Sequence, residues 1–101
     1  MNTKHTPGPW VVKNSGESNY FTIADSQANW LMQIQHNGEQ YAVVQDANAR
    51  LIAAAPELLE SLIYFCENIE LSKLNVRKDF SLLNAHAGAL KAIRKAKGLE
   101  Q

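Results

Sequence analysis

The stretch Ala47–Leu62, ANARLIAAAPELLESL, constrains this chain more than any other. Leu51, Ala55, Leu58, Leu62, Phe65 and Ile69 recur at steps of four and three, the spacing of one helical face. Ile52, Leu59, Ile63 and Cys66 widen that face, so it can touch two neighbours. Asp46 sits where a carboxylate could accept free N–H groups and complement the helix dipole. Pro56 interrupts the run. A proline inside a helix lacks one N–H and crowds the carbonyl four residues back, whereas at a helix start it costs little. Glu57 and Glu60 suit an acidic first turn, so the sequence predicts a helix kinked or restarted at Pro56. The small side chains of Ala53–Ala55 let another element approach closely.

Ahead of this helix lies a β-prone region. Pro7-Gly8-Pro9 has no helix potential, and Trp10-Val11-Val12 opens a first strand that Asn14-Ser15-Gly16 ends. Tyr20–Ala24 reads as a second strand and Trp30–Gln35 as a third, joined by a turn at Asp25-Ser26. Alternation puts Trp30, Met32 and Ile34 on one side of the third strand. Residues 39–45 are ambiguous. Asn37-Gly38 is a hairpin signal, and a fourth strand would follow from it. Yet Tyr41, Val44, Asn48, Leu51 and Ala55 fit helical spacing, and Asn37 with Gln40 resembles a capping box, which favours an early helix start.

The helix should fade around Leu71–Val76, and a second should run from about Asp79 to Lys97. Leu82, His86, Ala89, Ile93 and Ala96 form its stripe, with Leu83, Ala87 and Leu90 alongside and Gly98 as the stop. Gly88 inside it costs about 1 kcal/mol against alanine unless another backbone passes close by. The expected fold is α+β: an antiparallel meander of three strands, or four, then two antiparallel helices, the first kinked at Pro56. We read residues 1–101 as one domain, with a disordered lead-in over 1–6, a β region over 10–36 and a helical region over 40–97.

Net charge is zero, so no global attraction to nucleic acid or anionic membrane exists. Residues 46–70 nevertheless carry five acids and one base, and residues 71–101 seven bases and two acids. Complementary helix faces explain this more simply than a nucleic-acid patch. Cys66 is the only cysteine, so neither an intrachain disulfide nor a cysteine-cluster metal site can form. The N-terminus lacks an apolar signal core, and no run approaches the roughly 18 apolar residues of a membrane span, so a cytoplasmic location is expected.

Chemistry-bearing patterns are sparse. The sequence has no Gly-rich phosphate loop, and His5, His36 and His86 are too scattered for a metal site. Ser26 beside Asp25 is turn chemistry, and Glu57 with Glu60 a solvated face, so neither an enzyme nor a cofactor is expected. The residual candidate is a ligand site around Arg50, the only cation among residues 46–70, with Asn48 and the aromatic rings of Trp10, Tyr20 or Trp30. Guanidinium, amide and aromatic face together can hold a nucleotide. The plainer reading pairs Arg50 with Asp46 or Glu57 and buries both tryptophans in the core. The width of the first helix's apolar face points to a symmetric dimer or larger closed assembly through Leu51, Ala55, Leu58, Leu62 and Phe65, with Leu58 in the core.

At TPGPW (Thr6–Trp10) and ANARLIAAAPELLE (Ala47–Glu60) the chain resembles a large group of small phage and prophage proteins. Their members share a TPGPW-type start, a short β region and an ANARLIAAAPELLEAL-type helix. The two motifs cover about a fifth of this chain, and Ser61 departs from a common alanine. The resemblance implies a phage accessory protein in the host bacterial cell and assigns no catalytic residue. Such proteins commonly act by stoichiometric binding in counter-defence or host takeover. Two mechanisms follow, inhibition of a host defence protein or sequestration of a nucleotide immune signal (a cyclic oligonucleotide or ADP-ribose derivative). A small DNA-binding regulator using Lys91–Lys97 is a third reading, which no helix-turn-helix spacing supports.

Overall fold

Three antiparallel strands come first: β1 (Val11–Asn14), β2 (Tyr20–Ala24) and β3 (Trp30–Gln35), in the spatial order β1-β2-β3. Helices follow: α1 (Glu39–Ala53), α2 (Ala55–Asn68), a 3₁₀ turn over Leu71–Lys73, and α3 (Phe80–Ala96). The computed structural model describes residues 4–14, 20–36 and 39–99. The fold is α+β, as the patterning predicts, but the two expected helices are three. Asn37 and Gly38, on which the hairpin and capping-box signals rest, and Ser15-Gly16 lie outside the described residues. Residues 39–45 are helical, not a fourth strand.

The chain divides into two compact units, His5–Glu57 and a second drawn mainly from Leu58 onward. In the first, α1 packs on the sheet. Phe21, Ile23 and Ala49 form the buried cluster, ringed by the half-buried Trp10, Val12, Leu31, Ile34 and Ile52. Ala49 and Ala53 are both buried. Their small side chains let the helix axis approach the strands. Asp46 does not cap this helix, because α1 starts seven residues earlier, at Glu39.

The β2–β3 register explains why one tryptophan is not where alternation places it. Phe21 faces Ile34 and Ile23 faces Met32, but Ala24 faces Trp30. Leu31 is therefore the extra residue of a bulge, which rephases the strand. Leu31 packs toward the core cluster while Trp30 departs from the side of Met32 and Ile34 and is 70% exposed. Core packing accounts for Trp10 and not for Trp30. The preceding turn is held by Asp25. The backbone N–H groups of Gln27 and Asn29 each donate to its Oδ1 at 2.9 Å, and the bond from Asn29 does most to hold this carboxyl below its ordinary value. Ala28 in this turn has φ of 65°, the left-handed region.

Pro56 breaks the helix rather than kinking it. Ala54 is a turn residue whose N–H still donates to the Arg50 carbonyl at 3.0 Å, and α2 restarts with Ala55 and the buried Pro56. Pro56 thus occupies a first-turn position, where its missing N–H costs nothing.

In the second unit the α2 residues Leu59, Leu62, Ile63, Phe65 and Cys66 are half-buried. Leu58 is 50% exposed, which corrects its expected place in the core. On α3 only Ala89 and Ile93 are buried, and the His86 ring lies 6.2 Å from that of Phe65. Gly98 (φ 78°) ends α3 as predicted, with the Leu99 N–H donating back to the Arg94 carbonyl at 2.9 Å. An added Cβ at Gly88 would meet nothing within 4 Å among the described residues, so none of them makes a close backbone approach that requires this glycine.

Candidate functional site

The two sequence motifs meet within the first unit. At Gly8 an added Cβ would lie 2.9 Å from Pro56 Cβ and 3.2 Å from Glu57 Oε1, a spacing that excludes any side chain without movement. Two residues on, the Trp10 indole Nε1–H donates to the Thr6 carbonyl at 3.1 Å, and the His5 ring meets the indole edge-on at 6.2 Å. TPGPW is thus a short hook that closes on itself and presses against the start of APE.

Beside this joint lies a shallow depression lined by Trp10, Val11, Val12, Arg50, Ala53, Ala54 and Glu57. It brings together two of the predicted ligand residues, Trp10 and Arg50. Arg50 Nε donates to both carboxylate oxygens of Asp46, at 3.1 and 3.3 Å, one helical turn away. That pair is exposed, and so is worth only a few tenths of a kcal/mol. Asp46 thus sits on the guanidinium, and Glu57 is a second acid in the wall of the depression. The Trp10 indole N–H is already committed to Thr6, leaving the ring to offer an apolar surface.

The other predicted ligand residues are elsewhere. Asn48 donates to Gln45 Oε1 at 2.8 Å, and Gln45 in turn donates to the Gln35 carbonyl at 3.2 Å. This chain of amides ties α1 to the end of β3 and lies in a second depression with Tyr41 and Val44. Tyr20 and Trp30 line neither depression.

What sequence reasoning missed is which side of α1 faces water. Tyr41, Val44 and Leu51 share the predicted helical spacing but are 56%, 58% and 64% exposed. The sheet-facing side is marked instead by alanines at 49 and 53, a four-residue step that was visible in the sequence. Of the expected interface residues, Leu51, Ala55 and Leu58 are exposed while Leu62 and Phe65 are half-buried. Because α1 and α2 are separate helices, the five do not lie on one continuous helical stripe.

Among the described residues no group of three His, Cys, Asp or Glu side chains is placed to hold a metal ion. No helix among them is long and apolar enough to cross a membrane. A family model described as Salmonella phage P22 protein Y8K6 matches residues 1–100. No curated protein and no solved structure matches the chain.

Proposed function

We propose that this chain, which belongs to the Salmonella phage P22 protein Y8K6 family, is a non-enzymatic accessory protein that binds a host protein stoichiometrically, in counter-defence or host takeover. The observation that carries this reading is the exposed apolar stripe of α1, Tyr41, Val44 and Leu51. Side chains left partly in water forgo part of the burial energy they could gain, and exposed apolar patches rimmed by polar groups mark docking surfaces. Anchors at this spacing suit a helix laid into a partner's groove. Asn48 lies within the stripe and Gln45 beside it, so polar amides accompany the apolar side chains.

Sequestration of a nucleotide signal is the competing reading, resting on Trp10 and Arg50 in one depression. Two acids weigh against it: Glu57 lines that depression, and Asp46 already pairs with the Arg50 guanidinium. A DNA-binding role for the basic end of α3 would be seen as a steep loss of affinity with salt.

The test is capture from a bacterial host extract by the immobilised protein, then reconstitution with the purified partner by calorimetry. One-to-one binding is expected, with Tyr41→Asp and Val44→Asp each removing it while leaving the fold intact, because both side chains are exposed. Binding unchanged by both variants would contradict the reading. A small anionic ligand released on denaturation, detected by mass spectrometry and lost in Arg50→Ala, would transfer the assignment to nucleotide sequestration.

A further inference from the structure

The two edges of the sheet are not alike. β1 has four residues, carries the exposed Lys13 and follows Pro9, three devices that discourage another strand from pairing with it. β3 has six residues, Trp-Leu-Met-Gln-Ile-Gln, with no charge and no proline. Its inner edge pairs with β2, and among the described residues no strand lies along its outer edge. Gln45 anchors one end of it through the Gln35 carbonyl, so the strand is held in place by α1.

We propose that the outer edge of β3 pairs antiparallel with β3 of a second copy of this chain, making one continuous six-stranded sheet across a two-fold axis. The sequence of the strand is self-complementary about Gln33. Residues opposite each other in a ladder share a face, so a symmetric register must be centred on a residue, not between two. Centring on Gln33 sets Met32 of each copy against Ile34 of the other. Both share the face of their β2 partners Ile23 and Phe21, where α1 packs. Gln33 then meets its own counterpart at the axis, and an amide, being both donor and acceptor, can bond to an identical amide. The bulge at Leu31 ends the regular stretch on one side, so the ladder is short, and of the centres it leaves we take Gln33, which sets the two apolar side chains Met32 and Ile34 against each other. Zero net charge means that two copies do not repel each other over long range.

The axis residue gives a direct test. Gln33 is exposed, so Gln33→Lys and Gln33→Glu should fold like the parent. Light scattering at about 100 µM, well above common interface affinities, should give twice the 11.3 kDa chain mass for the parent. Each variant alone should fall to the single-chain mass, because like charges meet at the axis. An equimolar mixture of the two should return to the double mass. As a second measurement, Gln33→Cys in a Cys66→Ser background should form a disulfide-linked dimer on mild oxidation, and Lys13→Cys on the opposite edge should not. A parent at single-chain mass would overturn the proposal. So would variants that both stay dimeric, or a mixture that fails to pair. None of these readouts depends on a host target, so the dimer and the binding function stand or fall separately.

Discussion

The sheet–α1 unit and the α2–α3 unit reach their folds by different means. In the first, Phe21, Ile23, Ala24 and Ala49 are buried, and small residues at the contact (Gly8, Ala49, Ala53) set how closely the parts approach. In the second, only Ala89 and Ile93 are buried among the described residues from 58 onward, and most apolar side chains keep partial contact with water. Strands cannot hide their backbone locally and need a precise neighbour, whereas a helix satisfies its own backbone and tolerates looser packing. Strict demands on residue identity therefore fall on the first unit, which holds TPGPW, ANARL and the APE turn.

Substitutions can break or sharpen this contrast. The largest effect is expected at Ile23, among the described residues the one large side chain fully excluded from water. Ile23→Ala should cost about 3 kcal/mol in denaturant unfolding, against less than about 1 kcal/mol for Leu82→Ala on α3, whose side chain is part-exposed. Equal losses would erase the distinction. Gly88→Ala should raise stability by about 1 kcal/mol, since a methyl there meets nothing and alanine favours the helix. A loss on that change would mean that a neighbour packs against Gly88 after all. Ala28→Gly should add about 0.5–1 kcal/mol by relieving the left-handed backbone of the β2–β3 turn. Leu58→Asp should shift stability by no more than about 0.5 kcal/mol, because half of that side chain already faces solvent.

Much of this was legible in the sequence, and the failures have identifiable physical causes. Strand positions followed from aromatic and β-branched runs between turn residues, and the stop at Gly98 from its conformational freedom. The early start of α1 followed from helical spacing at Tyr41 and Val44. What spacing alone could not say is which side of that helix is buried. Large side chains suggested the Tyr41–Leu51 stripe, yet close approach to a sheet selects small ones, and Ala49 and Ala53 won. The bulge at Leu31 left no mark in the residue pattern, so Trp30 was misplaced. Arg50 and Asp46 could be paired from their i, i+4 spacing, while the meeting of Trp10 with Arg50 depends on tertiary packing across forty residues.

That packing is the central claim: TPGPW and the APE turn form one joint. A double-mutant cycle in Gly8→Ala and Pro56→Gly tests it most directly, because the closest contact of a methyl at position 8 is Pro56 Cβ. Gly8→Ala alone should cost about 1–3 kcal/mol from overpacking. In the Pro56→Gly background, with that carbon gone, most of this penalty should vanish, leaving an interaction energy of about 1 kcal/mol or more. Penalties that add within about 0.3–0.5 kcal/mol would show that the two motifs do not touch, and would contradict the account.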